Sequence, residues 1–112
     1  MVHQMGLFGE YFHAIKEGKK TVEVRLNDEK RRKIKVGDLI EFLKVPQQDE
    51  ILRVQVLDLR SYDTFEKMYN DIPLKDFDCE CWTMKQMIDG TNEIYTPEQE
   101  KEWGTLAFMI NY

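Results

Sequence analysis

Lys20, Glu23 and Arg25 lie within six consecutive positions, just after Gly18. An ammonium, a carboxylate and a guanidinium held together can grip an oxyanion or the polar edge of a base. Lysine is a compact cation for a phosphate or a base carbonyl, and arginine is a two-pronged donor. Glutamate accepts from an exocyclic amine or clamps the arginine. Spacing alone equally fits a surface ion pair worth under about 1 kcal/mol.

The surrounding charge favours an anionic guest. Half of the 16 lysines and arginines fall between Gly18 and Lys35, namely Lys19, Lys20, Arg25, Lys30, Arg31, Arg32, Lys33 and Lys35, against Glu23, Asp28 and Glu29. From Asp63 to Glu102 acids outnumber bases by eleven to four. A net charge of -5 argues against non-specific adhesion of the whole molecule to nucleic acid, while a bipolar domain can still present one basic face to a partner. A solvated basic loop is the plainer reading of the same run.

These residues need elements to position them. Phe8, Phe12 and Ile15 recur at helical spacing, so Leu7 to Glu17 reads as a short amphipathic helix, with Gly18 in the left-handed capping position. Thr21 to Leu26 alternates as a strand, with Val22, Val24 and Leu26 on the core face and Thr21, Glu23 and Arg25 on the other. Asp28 to Lys35 is too polar for the core and reads as a loop or one helical turn. Leu39 to Val45 and Ile51 to Leu59 form a hairpin across the turn at Pro46 to Asp49. Asp63-Thr64-Phe65-Glu66 reads as a capping box with Asp63 as the cap, and Thr96-Pro97-Glu98-Gln99 starts a further helix that Gly104 ends. Thr105 to Asn111, apolar on both sides, reads as a central or doubly covered strand. The sum is an α+β class protein with a small, strongly bent sheet or barrel and flanking short helices.

A chain of 112 residues with 42% hydrophobic content is expected to fold as one domain over residues 1–112, with no linker or repeat to divide it. No apolar run spans a bilayer and the N-terminus lacks a signal-peptide layout, so the expected location is cytoplasmic. Cys79 and Cys81, separated by one residue, suit reduced thiols better than a disulfide. Without a second pair or a nearby histidine they do not complete a zinc site, so no metal is expected.

Gly18, Lys20, Glu23 and Arg25 together reproduce the Gly-x-Lys-x-x-Glu-x-Arg signature of the ASCH domain, a PUA-like β-barrel family that the chain resembles. The Phe12-x-x-Ile15 helix, Lys35-Val36-Gly37-Asp38 before a strand, and Tyr95-x-Pro97-Glu98-Gln99-Glu100 ahead of Gly104 extend the resemblance over nearly the whole chain. It implies a small PUA-like barrel with a cleft at the signature and a role in binding RNA or a nucleoside or nucleotide ligand, without a cofactor. Lys20, Glu23 and Arg25 are then the ligand-binding residues, and Lys19, Lys30, Arg31, Arg32 and Lys33 the contacts to a nucleic-acid backbone. Tyr11, Tyr62, Tyr69, Trp82 and Trp103 are candidates to stack on an unpaired base.

An enzymatic alternative comes from a bacterial branch of the superfamily that acts as an amidohydrolase on N4-acetylcytidine and related acylated nucleosides through a Lys, a Thr and a Glu. Lys20 matches that lysine, but Glu23 stands where that branch has its threonine. Glu23 would then have to activate a water, and a further acid would come from Asp78 or Glu80. The acid-rich C-terminal half as a protein-docking surface is a third reading, and it leaves the basic cluster unexplained.

Overall fold

The computed structural model describes residues 1–112. Five strands form one mixed sheet: β1 (Val2–Phe8), β2 (Val22–Leu26), β3 (Leu39–Val45), β4 (Ile51–Tyr62) and β5 (Thr105–Asn111). Their spatial order is β1-β3-β4-β5-β2; β1 runs parallel to β3 and every other pairing is antiparallel. The sheet curls into a half-barrel whose open seam lies between its two edge strands, β1 and β2. Four helices pack on it, α1 (Gly9–Lys16), α2 (Phe65–Asp71), α3 (Met84–Asn92) and α4 (Pro97–Trp103), with 3-10 turns at Arg31–Lys33 and Leu74–Phe77. This is an α+β, PUA-like architecture.

Both faces of the sheet are covered. The inner core gathers Met5 and Leu7 of β1, Phe12 and Ile15 of α1, Ile40 and Phe42 of β3, and Leu106, Phe108 and Ile110 of β5. The outer core sets Val22, Leu26 and Ala107 against Phe65, Met68, Tyr69, Phe77 and Met87. Successive strand residues face opposite sides, so β5 feeds both cores in turn and is the doubly covered strand its composition suggests. The hairpin of β3 and β4 also forms as read.

Three local readings need correction. The helix expected from Leu7 starts at Gly9, because the chain before it is the edge strand β1, whose alternating Met5 and Leu7 are buried. Close packing explains Gly6 in that strand: a Cβ there would stand 3.2 Å from Val45 Cγ1. The cap of α2 is Thr64, whose side chain accepts from the Lys67 N–H; Asp63 instead pairs with the Lys67 ammonium, and the Phe65 N–H is taken by Glu100 of α4. Finally, α3 has no counterpart in the sequence reading. It is held by a full capping box in which the Thr83 hydroxyl accepts from the Gln86 N–H and the Gln86 side chain accepts from the Thr83 N–H.

Candidate functional site

Gly18 takes the left-handed conformation (φ +79°), and the Lys19 and Lys20 N–H groups both donate to the Ala14 carbonyl. This folds the chain sharply off the end of α1 and drops Lys20 at the entrance of β2. The turn was legible from the glycine; the side to which the charged residues point was not. Glu23 lies opposite Phe108 and Arg25 opposite Leu106 in the β2–β5 register, so both side chains face the inner core. The apolar set Val22 and Leu26 is buried on the other face, and neither side of this strand is a solvent face.

Lys20, Glu23 and Arg25 therefore converge in a nearly dry setting, with side chains only 7%, 7% and 12% exposed. Glu23 is the hub. Its Oε1 accepts from the Val24 N–H at 2.9 Å and its Oε2 from Arg25 Nη2 at 3.1 Å. Burial pushes the Glu23 carboxyl up, but the charges of Lys20 and Arg25 and the Val24 N–H outweigh it and hold its pKa below the ordinary range. Arg25 is likewise pulled down by burial and raised further by Glu23, ending above its usual value. Its Nη2 also donates to the Gly6 carbonyl at 2.8 Å, so one guanidinium bridges the open seam from β2 to β1.

Lys20 is held more loosely. Its Nζ stands 3.6 Å from Glu23 Oε1, an ion pair beyond hydrogen-bond reach, and faces the Tyr11 and Phe77 rings at 5.4 and 5.8 Å from their centroids. Around the triad, burial raises the pKa values of Tyr11, Tyr95 and the Cys79 thiol, and pushes Tyr69 up to about 12. All four are held in their neutral forms. Phe77 escaped the sequence reading, and Tyr95 entered it only as part of the family pattern; Phe77 sits in a 3-10 turn whose aromatic is fully inside.

The five residues expected at a nucleic-acid backbone are not equivalent. Lys30 Nζ donates to the Gln4 carbonyl at 3.0 Å, a second tie across the seam. Arg31 is fixed by Asp28, which accepts from its backbone N–H and its Nη1 at 3.1 and 2.9 Å. Arg32 donates from Nε to the Asn27 carbonyl and lies 5.7 Å from the Trp103 ring centroid. Lys19 pairs with Glu17 at 3.1 Å, whereas Lys33 is exposed and unpaired. Asp78 and Glu80 both face solvent; between them the half-buried Cys79 Sγ donates to the Phe77 carbonyl at 3.5 Å. Of two shallow depressions, one of about 300 Å³ is bordered by Gly18, Lys20 and Thr21 and the other of about 280 Å³ by Asn27, Arg31 and Leu106; Glu23 and Arg25 border neither. No helix is long and apolar enough to cross a membrane.

Two solved structures match along almost their entire lengths. The crystal structure of hypothetical protein PH0355 is 35% identical with a TM-score of 0.88, covering 99% of this chain and 98% of its own. The solution structure of protein PF0455 from Pyrococcus furiosus is also 35% identical, with a TM-score of 0.77 and coverage of 99% and 96%. ASCH from Zymomonas mobilis shares the fold at 15% identity, with a TM-score of 0.58, covering 99% of this chain and 67% of its own. No curated protein matches the chain. The ASCH domain family model matches residues 5–112, which include the Gly18-x-Lys20-x-x-Glu23-x-Arg25 signature, and the chain therefore belongs to the ASCH domain family.

Proposed function

We propose that this chain binds RNA or a nucleotide at the cluster formed by Lys20, Glu23 and Arg25. The observation that carries the reading is Lys20: an ammonium on a residue 94% withdrawn from solvent, with no hydrogen bond to the chain, beside two aromatic rings. Glu23 compensates the charge without taking a hydrogen bond from it, so the ammonium keeps spare donors, and Nζ is not among the side-chain atoms closed to solvent. A base carbonyl or phosphate oxygen entering beside Tyr11 supplies an acceptor, and the ring offers a stacking surface. Among the surface cations, Lys33 is free for a backbone phosphate, while Lys19, Lys30, Arg31 and Arg32 join the contact with fewer spare donors.

Binding is favoured over amide hydrolysis by the state of Glu23. A carboxylate that receives three stabilising partners and titrates below its ordinary range takes up a proton poorly, which opposes its use as a general base. Neither Asp78 nor Glu80 makes a bond to the triad to supply a second acid.

The double substitution Lys20→Ala with Arg25→Ala is expected to abolish salt-sensitive retention of single-stranded RNA, with circular dichroism checking that the fold persists. Undiminished affinity in a folded double variant overturns the assignment. Release of acetate from N4-acetylcytidine by the wild-type protein would move the reading to the hydrolase.

A further inference from the structure

Among buried side-chain nitrogen and oxygen atoms, Arg31 Nε stands out because it has no hydrogen-bond partner. The rest of the residue is firmly placed: Asp28 accepts from both its backbone N–H and its Nη1, so the guanidinium is oriented before any ligand arrives. Arg31 borders the depression of about 280 Å³, where Asn27 and Ser61 add polar side chains and Ile34 and Leu106 add apolar wall. Leu106, which lines this depression, is the register partner of Arg25, although no triad side chain lines it. Neighbouring Arg32 has a different task, since its donors go to the Asn27 and Trp103 carbonyls.

An unpaired donor on a pre-oriented guanidinium selects a negatively charged acceptor, because charge-assisted bonds from arginine to phosphate oxygens are strong and directional. Size narrows the class. The depression is shallow, so it suits a compact oxyanion such as a phosphate rather than a whole enclosed ligand. We propose that this cavity is a phosphate subsite with Arg31 as its oxyanion donor, so that the ligand is a phosphorylated nucleotide rather than a free nucleoside; this rests on the nucleotide-binding reading of the triad. Nε and Nη2 form one edge of the guanidinium opposite the Nη1 that Asp28 takes, and neither has a partner in the fold, so an oxyanion that reaches Nη2 lies along the edge that Nε completes. Asp28, already bonded to the other side of Arg31, keeps the residue from swinging out to solvent.

The test compares cytidine, cytidine 5′-monophosphate and the dinucleoside monophosphate CpU, titrated into wild type and Arg31→Lys while amide and guanidinium resonances are followed by NMR. Lysine keeps the charge and can still meet Asp28, but it loses the planar donor edge. In wild type a phosphate should improve affinity over cytidine by at least about tenfold, as expected of a charged hydrogen bond. Arg31→Lys should remove most of that gain and leave cytidine affinity unchanged, which also shows that the variant is folded. Arg31 dependence for cytidine 5′-monophosphate alone identifies a terminal phosphate, and dependence for CpU identifies a backbone one; either supports the subsite. If the gain survives in Arg31→Lys, or wild type does not distinguish cytidine from its phosphate, the subsite is wrong while the triad still binds. If no ligand shifts the Lys20 and Arg25 signals, the parent reading fails and the subsite falls with it.

Discussion

The triad at β2 and the basic turn at Lys30 to Lys33 are built from the same side chains, yet they occupy opposite electrostatic regimes. In the triad, three charges share one largely dry space, and each carries a partner's cost if that partner leaves. In the turn, Lys30, Arg32 and Lys33 lie at the surface, Lys30 and Arg32 donating to backbone carbonyls, and only Arg31 is drawn inward against Asp28. Coulomb attraction at a given separation grows severalfold as the effective dielectric falls from that of water to that of a protein interior, and so does the penalty for an unmatched charge. Charge density along a sequence therefore says little about energetic weight; depth decides it.

Removing the hub should produce the largest effect. Glu23→Ala leaves Lys20 and Arg25 buried without their carboxylate, and breaking a buried pair in this way costs roughly 3 to 5 kcal/mol. Urea denaturation should show a midpoint far below that of wild type. A loss under about 1 kcal/mol would mean that the triad is solvated like a surface pair.

Acid provides a graded form of the same perturbation. Because Glu23 titrates below the ordinary glutamate value of 4.5 in the fold, its ionised form contributes stability that is complete above that value and drains away as pH falls through the folded pKa. Between roughly pH 5 and 3, wild type should lose stability more steeply than Glu23→Gln, which has no carboxyl to protonate there. Parallel slopes would remove Glu23 from the acid response.

The smallest effect belongs to the turn. Lys33→Ala should stay within about 0.5 kcal/mol of wild type in stability, as for other surface positions. Its signature should appear instead in RNA binding, where losing one phosphate contact reduces the slope of log affinity against log salt by about 0.7 for a single strand. A stability change as large as that of Glu23→Ala would erase the distinction between the two regions.

The difference in depth explains what was legible beforehand. Helix α4 could be read because Thr96, Pro97 and Gln99 each satisfy a donor requirement of the first turn, and all three act as expected. Strand β5 could be read because an apolar residue at nearly every position leaves no face for water. The signature residues and their turn were equally plain. The inward aim of Glu23 and Arg25 was hidden, since alternation of apolar and charged residues ordinarily marks one wet face, and here both faces are covered by parts of the chain distant in sequence. Strand β1 was masked by Phe8, which lies in register with the helical spacing of Phe12 and Ile15 although it ends a strand. For α3 the Thr83–Gln86 signature was available, but the helix buries little beyond Met87, so its apolar pattern is faint.

One contact reaches past ligand recognition. Since the Arg25 guanidinium fastens the first strand to the second through the Gly6 carbonyl, the residue has a mechanical duty whether or not anything binds at the triad. A version of this chain with nothing to bind would still need that rivet to keep its half-barrel from gaping. Arginine at this position in another protein is thus a sign of shared construction and says nothing by itself of a shared ligand.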